Sequence, residues 1–165
     1  MSRISQHISY REAVRSNTAK RYGIKNEPNS VELNNMKRVA TKVFEPMRKH
    51  FGVPIYISSF FRSWKLNKKV GGSRTSDHPE GKAIDVDDVL GGVTNAEMFY
   101  YILDNLDFDQ LIWEYGDVHN PSWVHFSYDN PFRNRKQALR AERYTTVWGF
   151  RRTRYVPFVD LRQKL

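Results

Sequence analysis

With 165 residues, 39% of them hydrophobic, and no apolar run near the roughly 18 residues that a membrane-spanning helix needs, the chain is expected to be a soluble globular domain with no membrane span. Cysteine is absent, which excludes disulfides, thiolate catalysis and every cysteine-containing metal site; a transition-metal centre must use carboxylates and the five histidines, His7, His50, His78, His119 and His125. The net charge of +9 is lopsided: residues 130–165 hold ten Lys and Arg against Glu142 and Asp160, leaving only +1 for the first 129 residues, so an anionic partner would meet the tail.

In chain order, Met1–His7 carries one basic residue and no apolar stretch follows, so the expectation is synthesis in a cytoplasm without a secretory signal. Residues 1–29 show weak periodicity and read as a lead-in packed on the domain that follows. From Val31, the residues Met36, Val39, Ala40, Val43, Phe44, Met47 and Phe51 recur at helical spacing, with Ser30 as N-cap and Gly52 as stop. Pro46 inside that pattern predicts a kink or an early end. Residues 54–61 are β-branched and aromatic and predict a strand; residues 64–70 predict a short helical turn ending at Gly71-Gly72.

Between Lys82 and Asp88 the residues Ala83, Asp85 and Asp87 alternate with Ile84, Val86 and Asp88, which is strand period. Thr94-Asn95-Ala96-Glu97 is a capping box, followed by Met98, Tyr101, Ile102 and Leu106 on one helical face. Residues 108–115 and 123–128 read as two strands joined by a hairpin-like connection. Beyond 130, bases interleave with Phe132, Tyr144, Trp148, Phe150, Tyr155 and Phe158; the irregular aromatic spacing predicts anchoring on the core with the bases solvated. The sum is an α+β domain, with helices on one face of a small, largely antiparallel sheet. The lead-in is 1–29, the main domain 30–129 and the basic extension 130–165.

The stretch from Ser76 to Asp85 carries the most chemistry. It places His78 before a turn containing Pro79 and Gly81, and a carboxylate seven residues on, inside a strand. Turn and strand together can bring His78 and Asp85 to one point, and Ala83, on the same strand face, leaves room beside it. His125, in the last of the strands before residue 130, offers a third ligand. Two His and one carboxylate with a position left for water is a catalytic zinc set, whereas structural sites close with four protein ligands. Singly, His78 has an ordinary reading as a polar loop residue, and His125 as a core histidine bonded to a carbonyl. Asp85 among apolar neighbours needs a partner in any case.

Arg62-Ser63, Leu66-Asn67, Val70-Gly71-Gly72-Ser73, Ser76-x-His78-x-x-Gly81-x-Ala83-x-Asp85 and Trp123-Val124-His125 resemble the M15 peptidases in order and spacing over roughly residues 30 to 128. That family includes D-Ala-D-Ala carboxypeptidases, dipeptidases and phage L-Ala-D-Glu endolysins, and shares its zinc fold with hedgehog domains. The resemblance implies Zn²⁺ held by His78, Asp85 and His125, and a hydrolase acting on peptidoglycan stem peptides. In several members a Glu three residues before the last zinc-binding His is the base; here Ser122 stands there. A zinc hydrolase needs a carboxylate to take a proton from water and pass it on. Glu114, ending the preceding strand, is the candidate, with Asp117 as fallback.

By resemblance Arg62 stabilises the oxyanion or holds a substrate carboxylate, tasks that suit a planar charged fork. Ser76 is a candidate substrate contact, His119 a candidate neighbour of the site, and Asp87 a support for a ligand or a site for a separate cation; His7 and His50 are expected on the surface. The alternatives are a D-Ala-D-Ala carboxypeptidase and, from another class, a non-catalytic zinc-containing binding module. For the basic tail an anionic cell-wall polymer is the expected partner and nucleic acid the disfavoured one. A phage lysin, acting as a monomer on the bacterial cell wall, is the expected setting.

Overall fold

The computed structural model describes residues 2–162, and six strands make one sheet in it. They are β1 (Tyr56–Ser59), β2 (Ala83–Asp87), β3 (Gln110–Glu114), β4 (Trp123–Ser127), β5 (Gln137–Thr145) and β6 (Arg151–Pro157). Their spatial order is β1-β2-β4-β3-β5-β6. Every neighbouring pair is antiparallel except β3 with β5. The helices are α1 (Tyr10–Ala13), α2 (Asn17–Arg21), α3 (Ser30–Val39), α4 (Glu45–Phe51), α5 (Trp64–Lys69) and α6 (Asn95–Asn105). The fold is α+β, and no helix among the described residues is long and apolar enough to cross a membrane.

Alternation of side chains along a strand gives the sheet two different faces. Ile84, Val86, Leu111, Trp113, Val124 and Phe126 enter the hydrophobic core together with Val43, Met47, Met98 and Ile102 of the helical layer. The intervening residues, among them Asp85, Ile112, Glu114 and His125, belong to the other face.

The capping box at Thr94 forms as the sequence predicts, with Thr94 accepting from the Glu97 N–H and the Glu97 side chain from the Thr94 N–H. The cap of α3 is Asn29 and not Ser30. The Asn29 side chain and Glu32 bond each other's backbone N–H, and this reciprocal pair sets the helix start one residue earlier. Pro46 does not end the helix. It sits in the first turn of α4, directly after a π-helical turn at Ala40–Phe44, where the Glu45 N–H reaches back to Ala40 O. The widened turn accommodates a ring that cannot donate. Gly52, at φ 67°, closes the helix as expected.

The lead-in splits its apolar residues: Ile4, Ile8 and Ala13 join the main core, and Ala19 and Ile24 pack with Leu66 of α5. In the tail, Phe158 meets Phe99, Tyr100 and Trp113. Trp148 and Phe150 are not anchors; they stand 83% and 65% exposed at the turn joining β5 to β6, and Phe132 is 98% exposed. Two strands, rather than an irregular wrap, carry this segment, so the sheet ladder holds it and the aromatics at its turn are free to face outward.

Candidate metal and active site

Strand register assembles the site. Asp85 of β2 pairs with His125 of β4, and His125 pairs with Ile112 of β3 on its other side. His125 Nδ1 lies 2.7 Å from Asp85 Oδ1. His78 arrives from a short 3₁₀ turn, His78–Glu80, that ends at Gly81 with φ 71°. A Cβ at Gly81 would collide with the Glu32 carbonyl of α3, so only glycine lets this turn dock close enough to aim His78 at the sheet.

His78 Nδ1 lies 2.6 Å from Phe60 O. A carbonyl can only accept, so Nδ1 carries the hydrogen and Nε2 turns its lone pair into the site. Nε2 is 3.2 Å from Asp85 Oδ2, yet it is buried without an aligned hydrogen bond. His78, Asp85 and His125 are all buried, and one donor atom from each lies within 4.8 Å of the others. An orphaned imidazole nitrogen facing a carboxylate and a second imidazole fits a divalent transition cation, zinc among them.

The electrostatics are mutually conditioned. Burial alone would raise the Asp85 carboxyl, but His78 and His125 hold it well below the usual carboxylate range. Burial pushes His78 down, whereas at His125 the hydrogen bond and charge of Asp85 overcome burial and push it up. Glu114, 7% exposed, is pushed up to about 7, by burial first and by the Asp85 charge second, against the pull of His125 and Arg62. A carboxyl that titrates near neutrality is the property a general base needs. Glu114 O also accepts from the Ser122 N–H at 2.9 Å, so the carboxylate on β3 stands next door to the position where Ser122 replaces the familiar Glu.

Arg62 reaches the same point. Its Nη2 is 3.5 Å from Asp85 Oδ2 and its Nη1 donates to Asn67 Oδ1 at 3.4 Å. Its backbone is clamped by Asn26, whose amide donates to Phe61 O at 3.0 Å and accepts from the Ser63 N–H at 2.7 Å. Asn26 belongs to the lead-in, and no motif pointed to it. Ser76 Oγ accepts from the His78 N–H at 3.4 Å and lines the cleft.

The remaining candidates lie elsewhere. Asp117 is exposed and caps its own turn, accepting from the N–H groups of His119 and Asn120 at 2.7 and 3.0 Å. Neither it nor His119 lines the cleft. Asp87 accepts from Asp88 N–H and the Asn95 amide, supporting the start of α6. His7 pairs with Glu45 and His50 stacks on Tyr101.

The cleft above the triad has a volume of about 500 Å³, within the range of small-ligand sites. Trp123 of the Trp123-Val124-His125 motif and three residues that sequence reasoning missed, Tyr115, Leu139 and Tyr155, complete its walls. A peptide-sized cleft with a buried His–Asp–His floor, a carboxyl near neutrality and an arginine has the layout of a hydrolase organised around a divalent cation. A family model described as Peptidase M15 matches residues 6–127. The chain belongs to that family and is a peptidase of the metallopeptidase class. No curated protein matches the chain.

Proposed function

We propose that the protein is a zinc-dependent, endolysin-like peptidase that hydrolyses peptidoglycan stem peptides at an L-Ala-D-Glu or D-Ala-containing bond. His78, Asp85 and His125 would hold the metal; when bound, such a cation supplies Lewis acidity that polarises a carbonyl and acidifies water. Glu114 accepts the proton of the attacking water and returns it to the leaving amine. Arg62 holds the developing oxyanion or a substrate carboxylate, and Ser76 hydrogen-bonds the bound peptide. The observation that carries this reading is the position of Glu114: buried, and lining the same cleft as His78, Asp85 and His125. A competent base favours an enzyme over a binding module.

The tail, with its surplus of bases, draws the protein to anionic wall polymers. Synthesis in a cytoplasm followed by action on the bacterial cell wall fits this reading. Mass spectrometry of purified peptidoglycan digested by zinc-loaded protein tests it. New amino termini within the stem are expected; release of free D-Ala alone would make it a carboxypeptidase, and undigested walls would refute it.

A further inference from the structure

The family match ends at residue 127, yet one wall of the cleft lies beyond it. β5 joins the sheet parallel to β3, with Glu114 opposite Ala141, and β6 follows with Tyr155 opposite Ala141. Glu114, Ala141 and Tyr155 therefore form a row on one face, with Tyr155 and Glu114 backbones about 10 Å apart across two strand spacings. Ala141 between them is fully buried although it is small and lies outside the main core. Glu114 and Tyr155, on either side of it, both border the cleft.

This wall is fastened to the site. Tyr115, directly after Glu114, adopts φ 55°, a conformation that non-glycine residues seldom hold. Its hydroxyl shares a 2.8 Å hydrogen bond with Thr153 of β6, and the Arg143 guanidinium of β5 lies 4.6 Å over its ring. The end of β3 that carries Glu114 is thereby tied to both strands of the hairpin.

We propose that the β5–β6 hairpin is the specificity wall of this peptidase, and that Tyr155 touches substrate, donating its phenol hydrogen to a main-chain carbonyl of a peptide lying between it and Glu114. The ligand is a peptide backbone, flanked on this side by the apolar Ile112 and Leu139. Tyr155 is 52% exposed, and its partial burial, with help from Glu114, pushes the phenol up to about 12, so it stays a donor throughout the working range. The inference rests on the peptidase reading.

Its test uses the full chain and a synthetic peptidoglycan stem pentapeptide. Cleavage by wild type, Tyr155→Phe and Tyr155→Ala is compared, with metal content and thermal unfolding checked for each. Binding of the same peptide to Glu114→Gln protein, with and without Tyr155→Phe, is read by calorimetry. Tyr155→Phe should fold and hold metal normally while losing roughly tenfold in kcat/KM and in affinity, the scale of one hydrogen bond; Tyr155→Ala should lose more. Equal cleavage and equal binding by Tyr155→Phe overturn the proposal. Binding that depends on Tyr155 without cleavage by wild type upholds the wall and removes the stem-peptide hydrolase reading; a wild type that neither binds nor cleaves removes both.

Discussion

Replacing Glu114 by Gln should make the protein more stable as it makes it inactive. The carboxyl sits at about 7 in the folded chain against an ordinary 4.5. A group that binds its proton more tightly when folded favours the fold below pH 4.5, and that contribution is lost as pH rises through 7. At pH 8 the ionised Glu114 therefore costs the metal-free fold about 3 kcal/mol, from the pKa gap at 1.36 kcal/mol per unit. Glu114 is only 7% exposed, so water screens little of this.

Gln keeps the shape and drops the charge. Urea unfolding in chelator, followed by tryptophan fluorescence from pH 4.5 to 8, should show the stability gap between variant and wild type widening by about 3 kcal/mol, or roughly 6 to 12 °C in Tm. The gap should shrink when zinc is added, because a nearby cation favours the carboxylate. Turnover by the zinc-loaded variant should fall by about two orders of magnitude or more. Parallel stability curves across this pH range would refute the buried-charge argument. A stabilised variant that still cleaves would remove Glu114 as base, while Asp117→Asn is expected to be active.

Purified protein should bind close to one zinc per chain, and His78→Ala or Asp85→Ala should lose most of it by elemental analysis; failure to take up zinc would overturn the metal assignment. Asn26→Ala leaves the Phe61 carbonyl and Ser63 N–H without their partner and should cost about 2 kcal/mol, with a drop in cleavage as Arg62 loses its clamp. Charge reversal at Arg151, Arg152 and Arg154, all on exposed β6 positions, should weaken wall binding at low salt but spare cleavage of a short soluble peptide. Normal wall binding by that variant would make the tail's charge incidental.

Two members of the candidate site, Asp85 and His125, were legible because they sit in strands with clean alternation, whereas His78 comes from a turn. Ile84 and Val86 inward force Asp85 outward, and Val124 and Phe126 do the same for His125. Glu114 could be found because it ends a strand whose partner leads to His125 through a short connection. Tyr155 could not: β5 and β6 carry charges on both faces, so no period marks the cleft side, and the parallel pairing of β3 with β5 joins segments with no turn signal between them. Asn26 was equally hidden, since its hydrogen bonds go to backbone atoms of Val14, Phe61 and Ser63, and backbone leaves no trace in a residue pattern. Trp148 and Phe150 misled for the opposite reason; bulk suggests burial until a hairpin tip lifts the side chains clear.

The two-faced sheet has a consequence for how this protein can change. Neighbouring residues along β2, β3 and β4 face different surroundings: Val86, Trp113 and Val124 the core, Asp85, Glu114 and His125 the cleft. A substitution on the cleft side removes few core contacts, so new substrate preferences can be sampled there without unravelling the domain. The same alternation makes a one-residue insertion in any of these strands unforgiving, because every side chain beyond it would exchange the cleft face for the core.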